Sequence, residues 1–323
     1  MILAGDVGGT KTLLGLFEAD PVRPRPIVAR SFGTLDYETL EAMIAAFLSG
    51  ASVDASTIGV TCIGAAGPVI DNAAELTAVP WRVDGARISR ATGAARVVVI
   101  NDLQAMAQAV PALQESELHV LQRGSPVPGG NMAVIAAGTG LGEALIHHVD
   151  GRYVPAASEG GHADFAARTE REIAVVRDLT KRYGRADVEH VVSGRGLINV
   201  HRVTHAGGCA AAVDLEDPHA AAAITAAAFD RRCPGCVEAL DLFVEAYGAQ
   251  AGNLALRSVA TGGVFIGGGI APKILPALTS GAFMRAFRAK PPLENLLASM
   301  PVHVILNDNA GLLGAAVFAA SLR

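Results

Sequence analysis

The sequence predicts an α/β protein built from a duplicated unit, and three observations predict it. ARVVVI at 95–100 is an apolar run of the kind buried in a parallel sheet. GDVGGTKT at 5–12 is a glycine-rich turn between two strand-like runs. After a break at 124–131, the same order of strand, threonine-bearing glycine turn and strand returns at 132–149.

Each element follows from local pattern. Residues 2–4 and 12–17 flank the first turn as strands, and a third strand is expected near 27–31, after a proline-rich connection. TLEAMIAAFL at 39–48 spaces its apolar residues for a helix. A strand over 57–63 runs into the small residues GAAGP, and strand 95–100 ends at Asn101-Asp102 with a helix expected over 103–110. In the second half, strands are expected at 132–136 and 143–149 around the turn at 138–142. Helices are expected over 170–183 and 220–259, the latter broken by a turn near Cys233. A third glycine cluster at 262–269 frames a short strand and opens a helix at Ala271-Pro272, where proline suits the first turn. A strand at 302–306 precedes a last helix over 310–322, capped by Asp308 or Asn309.

Bulk properties narrow the function. The 323 residues suffice for two domains and a large core. A net charge of −5, with no long run of Lys and Arg, leaves no electrostatic footprint for nucleic acid. The N-terminus lacks the basic and apolar regions of a signal peptide, and no apolar run reaches the roughly 18 residues of a membrane span. A cytoplasmic protein with no membrane or nucleic-acid partner is expected, its four cysteines reduced.

The glycine turns carry the first chemical signal. GDVGGTKT is not a P-loop, because Thr10 separates Gly9 from Lys11 and a strand rather than a helix follows. The turn at 138–142 is not a dinucleotide fingerprint, since it too leads into a strand. Backbone N–H groups in such turns can point at phosphate oxygens with no side chain in the way. A single glycine turn is equally an ordinary tight hairpin. Two threonine-bearing hairpins in a duplicated fold point to a nucleotide.

GDVGGTKT, VVVINDLQA, AAGTGLGEAL, SEGGHADFA, VSGRGLINV, GGVFIGGGIAPKIL and VHVILNDNAGLLGAA stand in the order found in bacterial glucokinases. The chain resembles that family, within the actin-like, hexokinase-type ATPase superfamily, over essentially its whole length. The resemblance implies two actin-like (ribonuclease H-like) α/β domains around a cleft: a small one from 1–112 plus 303–323 and a large one over 113–302. It implies ATP as donor, glucose as acceptor, assistance by Mg²⁺ and a homodimer. It also makes the glycine turns phosphate-binding elements, contributing Gly8, Gly9 and Thr10, then Gly138, Thr139 and Gly140, then Gly268 and Gly269.

Asp102 stands where a buried strand gives way to a helix, the crevice position of open α/β sheets, although aspartate is also a common helix cap. The resemblance makes it the general base for the sugar 6-hydroxyl, with Asn101 hydrogen-bonding the sugar. EGGH at 159–162 reads as a loop on account of Gly160 and Gly161, and the resemblance makes Glu159 and His162 sugar ligands. Glu189 joins them by resemblance, though alone it would pass for a solvated helix charge. Asp6, following a strand and preceding the first turn, would hold Mg²⁺ through water or cap the turn. Lys11 could reach a phosphate or stand solvated.

Some positions depart from the pattern. Ala78 stands where glucokinases often carry Asn, and Arg195 where proline is common, which bears on sugar preference. Cys233-Pro-Gly-Cys236-Val-Glu238 keeps a fragment of the cysteine-rich zinc motif of the neighbouring repressor/kinase family. A structural zinc needs four ligands, which Cys209, His201 or His205 would have to complete; a reduced helix turn is the expectation. Alternatives to a glucokinase are a kinase for another hexose or an amino sugar, and a sugar-sensing regulator. A regulator would need a helix-turn-helix, for which a strand starting at residue 2 leaves no room ahead of it.

Overall fold

A computed structural model describes residues 1–76, 79–205 and 208–323, so the expectation at Ala78 lies outside the described residues. In chain order the elements are β1 (Ile2–Val7), β2 (Lys11–Glu18), β3 (Arg25–Gly33), α1 (Leu40–Ala51), β4 (Val60–Ala65), β5 (Val69–Ile70), β6 (Ala73–Glu75), β7 (Arg82–Asp84), α2 (Gly85–Thr92), β8 (Arg96–Asn101) and α3 (Asp102–Ala109). There follow β9 (Leu118–Gln122), β10 (Met132–Ala137), β11 (Leu141–Val149), β12 (Arg152–Ser158), α4 (Glu170–Tyr183), α5 (Gly194–Thr204), α6 (Ala220–Phe229) and α7 (Pro234–Ser258). The chain ends with β13 (Gly263–Gly267), α8 (Leu275–Leu278), α9 (Ala282–Arg288), α10 (Glu294–Ser299), β14 (Val302–Ile305) and α11 (Ala310–Ser321). It divides into a first unit, residues 1–117, 152–157 and 307–323, and a second, residues 118–151 and 158–306.

In the first unit the sheet order is β3-β2-β1-β4-β8. β1 pairs antiparallel with β2 and parallel with β4, which pairs parallel with β8. β4, VTCIGA, is buried along its whole length, because helices cover both faces of its sheet. On one face α1 buries Leu40, Met43, Ile44, Phe47 and Leu48, spaced for a single helical stripe. Thr39 caps that helix, its side chain accepting from the Ala42 N–H at 3.2 Å. On the other face the alanines of α11 pack with Ile2, Ala4 and Ala105. A Cβ at Gly314 would collide with the Ala105 carbonyl, so glycine lets α11 and α3 approach backbone to backbone. β3 stays largely exposed and carries Pro26, as an edge strand tolerates.

The second unit repeats the plan. β10 pairs antiparallel with β11 and parallel with β13, and β13 parallel with β14, beyond which β9 adds antiparallel. The 25 residues of α7 supply the centre of its core, where Phe243, Tyr247 and Phe283 meet edge to face. Tyr247 Oη accepts from the Ala137 N–H at 3.3 Å, tying α7 to the end of β10. Among the described residues no helix is long and apolar enough to cross a membrane.

Several local expectations change. β1 extends to Val7, so Asp6 lies inside the strand, opposite Leu13, rather than in the turn. The helix cap before α3 is Asn101, not Asp102: its Oδ1 accepts from the N–H groups of Leu103 and Gln104. The segment at Ala271–Ile274 is a tight 3₁₀ turn before α8 begins. Asn309 occupies the cap position of α11 without a side-chain cap bond; Asn307 instead accepts from the Asn309 N–H at 2.8 Å.

Candidate active site

In the first unit the carboxyl ends of β1, β4 and β8 lie side by side. The register sets Asp6 beside Gly64, and Ala65 beside Asn101. Gly64 sits against Asp102: a Cβ on it would stand 3.7 Å from the Asp102 Cα and 3.0 Å from the Ala105 Cβ. Asp102 Oδ1 accepts from the Leu103 N–H at 2.8 Å, which fixes the carboxylate at the start of α3. Asn101 is held at both ends of its amide, since Nδ2 donates to the Gly67 carbonyl at 3.1 Å while Oδ1 caps the helix. Asp6 is pushed up to about 7, chiefly by burial and then by the Asp102 charge, against the pull of Lys11. A Cβ at Gly311, in the first turn of α11, would collide with the Asp6 carboxylate, so glycine there makes room for it.

The first glycine hairpin stands beside these carboxylates. Gly8 N–H donates to the Lys11 carbonyl at 3.1 Å, closing a tip in which Thr10 and Lys11 are exposed. Thr34 braces the tip: its hydroxyl donates to the Gly8 carbonyl at 2.8 Å and its N–H to the Thr10 carbonyl at 3.1 Å.

The second unit gathers the other expected residues. Glu189 is not a free helix charge. Its Oε2 accepts from the Leu141 N–H at 2.8 Å, and a Cβ at Gly140 would stand 2.5 Å from that oxygen. The hairpin carrying Gly138, Thr139 and Gly140 is thus folded onto the Glu189 carboxylate. The start of α5 joins it, with the Gly194 N–H donating to the Gly138 carbonyl at 2.8 Å; Arg195 is exposed one residue on. The third glycine turn packs against the same strand, because a Cβ at Gly268, where φ is +83°, would collide with the Ala137 backbone. Gly138 and Gly269 differ: a Cβ at either meets nothing within 4 Å.

EGGH forms a 3₁₀ turn, Gly160–His162, after an exposed Glu159. Its glycines are needed where they are. A Cβ at Gly161 would strike the Leu141 carbonyl, and one at Gly160 the Glu143 carboxylate. The Glu189 N–H donates to the Gly161 carbonyl at 2.8 Å, which couples this turn to Glu189. Two residues here escaped the sequence reading. Buried Asp187 stands 3.5 Å from the His162 Nδ1 and receives the His190 N–H at 2.8 Å, so it orients the exposed imidazole. Glu143, only 1% exposed, receives the Gln250 Nε2 at 2.6 Å, and burial pushes its carboxyl up. Alternation along β11 could have flagged Glu143 as an inward charge; nothing in sequence marked Asp187.

One unit therefore joins a threonine-bearing hairpin to two carboxylates at strand ends, and the other joins a second such hairpin to a carboxylate and an imidazole turn. A family model described as Glucokinase matches residues 3–322. The chain belongs to the glucokinase family. It is 37% identical over 345 residues to the Glucokinase of Nostoc punctiforme, covering 100% of this chain and 99% of that relative. It is 38% identical over 322 residues to the Glucokinase of Mesorhizobium japonicum, covering 98% and 91%. Among solved structures, a glucokinase from an Antarctic psychrotroph superposes with a TM-score of 0.85 at 28% identity, covering 99% of this chain and 98% of that one. A ROK family glucokinase from Streptomyces griseus, solved with glucose and AMPPNP, shares the fold with a TM-score of 0.66 at 24% identity, covering 99% of each chain. The glucokinase-family fold, two actin-like α/β domains, is the fold of this chain.

Proposed function

We propose that this glucokinase-family chain transfers the γ-phosphoryl group of ATP to the 6-hydroxyl of glucose, with Asp102 as general base. The observation that carries the reading is the pair of carboxylates, Asp6 and Asp102, at the ends of parallel strands on either side of Gly64. The 6-hydroxyl proton passes to the Asp102 carboxylate as the sugar oxygen bonds to the γ-phosphorus and the bond to the ADP oxygen breaks. The Leu103 N–H on Oδ1 keeps the carboxylate aimed. Asn101 offers the sugar its second amide N–H, Glu159 and Glu189 offer carboxylate acceptors, and His162, oriented by Asp187, offers a ring nitrogen.

The phosphates fall to the hairpins, through Gly8, Gly9 and Thr10 and through Gly138, Thr139 and Gly140, and to Gly268 and Gly269. Gly138 and Gly269 support this most, because nothing in the fold requires their missing side chains. Asp6 fits Mg²⁺ held through water. Its carboxyl is raised to about 7 beside a second carboxylate, a charge conflict that a divalent cation relieves. The bound ion would neutralise charge on the phosphate oxygens. A cytoplasmic homodimer feeding glucose 6-phosphate into glycolysis completes the reading, and the four free thiols are consistent with a reducing compartment.

Asp102→Asn tests the assignment. The amide keeps the shape but takes no proton, so glucose-dependent ADP formation should fall by roughly 10²–10⁴-fold. The calorimetric affinity for ATP should change little, and that for glucose by no more than the roughly 1–3 kcal/mol of one altered hydrogen bond. Turnover like that of the unaltered protein would remove Asp102 from the role.

A further inference from the structure

The second unit brings together four sulfur and imidazole side chains that the reaction does not use. His205 and Cys209 follow α5, while Cys233 and Cys236 stand at the start of α7, at its cap position and in its first turn. Cys209 Sγ lies 3.9 Å from Cys233 Sγ and 3.7 Å from Cys236 Sγ. His205 Nε2 lies 3.2 Å from Cys233 Sγ and 3.8 Å from Cys236 Sγ. We propose that His205, Cys209, Cys233 and Cys236 form a structural zinc site that staples the α5–α6 connection to the start of α7.

The spacing is that of a coordination tetrahedron. Zinc–sulfur bonds of about 2.3 Å and zinc–nitrogen bonds of about 2.0 Å set the edges at about 3.8 Å between sulfurs and about 3.5 Å between nitrogen and sulfur. The four edges given above, two between sulfurs and two between nitrogen and sulfur, straddle these values. A disulfide needs sulfurs about 2.05 Å apart, and all four cysteines are free thiols. Three thiolates and one imidazole are a soft, tetrahedral donor set that suits zinc.

The surroundings are arranged for a ligand at the centre. His205 Nδ1 is 2.7 Å from the His201 carbonyl; donating there leaves the lone pair on Nε2, the atom that faces the sulfurs. Gly235, between the two cysteines of CPGC, has no Cβ, which would otherwise stand 2.5 Å from that Nε2. His201 stacks on His205 with ring centroids 3.6 Å apart. It is 2% exposed, neither of its ring nitrogens has a hydrogen-bond partner, and one lies within 4.8 Å of the donor atoms of His205, Cys209 and Cys236. A buried imidazole with no partner is costly, and its place against this cluster is explained if a metal is the focus of the packing. Among the described residues between α5 and α6 only turns occur, so a metal would supply the order that regular structure does not.

Elemental analysis of the full-length protein, purified without chelator from zinc-supplemented cells, should find about one zinc per chain. A strong chelator should lower the melting temperature, and zinc alone should restore it. Cobalt exchanged into the unaltered protein should give thiolate charge-transfer absorption, a readout that needs no variant. Cys209→Ser and His205→Ala should each weaken zinc retention against a competing chelator by at least about tenfold, since losing even an outer-shell partner of a metal ligand costs that much. Metal-free protein from replete cells would overturn the proposal, as would full zinc retention in Cys236→Ser, or fewer than four titratable thiols after unfolding without metal. Retention in His205→Ala with loss in His201→Ala would overturn the choice of His205.

Discussion

Asp6 carries a charge that the fold alone does not neutralise. Burial and then Asp102 hold its carboxyl at about 7, against 3.8 for an unperturbed aspartate, and Lys11 offsets only part of this. The folded state therefore binds a proton more tightly than the unfolded chain, so stability falls as pH rises from about 4 to about 7 and the full cost is present above that. Asp6→Asn should raise the melting temperature above pH 7, with the gain shrinking towards pH 4, while phosphorylation of glucose is lost. An equal gain at both ends of that range would show that Asp6 ionises normally. Mg²⁺ with nucleotide should diminish the effect by stabilising the anion. Asp102 was legible in sequence because a β-branched run stops at Asn101 and a helix starts. Which of the two caps the helix is not legible, since Asn101 and Asp102 are both good caps and only the geometry shows that Asn101 takes the Leu103 and Gln104 N–H groups together while Asp102 reaches the Leu103 N–H alone. The Glu189 bond to Leu141 could not be read, for the partners are 48 residues apart.

At the level of elements, the glycine turns separate into those the fold needs and those it does not. Gly268 has a positive φ and abuts the Ala137 backbone, whereas Gly138 and Gly269 face open space. Gly268→Ala should therefore cost stability, by at least about 1–2 kcal/mol from the left-handed conformation alone, and shift the end of β10. Gly138→Ala should keep the melting temperature close to that of the unaltered protein yet raise the KM for ATP, because the added methyl projects where a phosphate oxygen is proposed. Steady-state kinetics beside thermal melts distinguishes the two. A Gly138→Ala enzyme with an unchanged KM would return that turn to an ordinary hairpin. The elements easiest to read were those with long periods or strong punctuation, such as α4, α7 and the two hairpins. β5, β6 and β7 went unread because strands of two or three residues are too short to show alternation. β9 was unread because LHVLQ joins its sheet through a partner far along the chain.

At the scale of the molecule, the two units carry separate cores. One hydrophobic cluster runs from Ala133 to Val304 within the second unit, and two smaller ones lie within the first. A chain with independent cores need not unfold in one step. Trp81, the single tryptophan, is buried in the core of the first unit with α1, so its fluorescence follows that unit while circular dichroism follows both. Without ligand the two melting curves should not coincide. The proposed sugar ligands divide between the units, Asn101 and Asp102 in the first and Glu159, His162 and Glu189 in the second. Glucose stabilises a unit whose ligands it engages, by about 2.7 kcal/mol at a hundred times its Kd, or roughly 5–10 °C at about 2–4 °C per kcal/mol for units of this size. Saturating glucose should therefore raise the Trp81 transition together with the dichroism transition and draw them closer. Glu189→Gln should shrink the dichroism shift, since the second unit then holds the sugar with one carboxylate fewer. Glucose that raised the dichroism transition and left the Trp81 curve where it was would detach Asn101 and Asp102 from the sugar and leave Glu159, His162 and Glu189 to bind it alone.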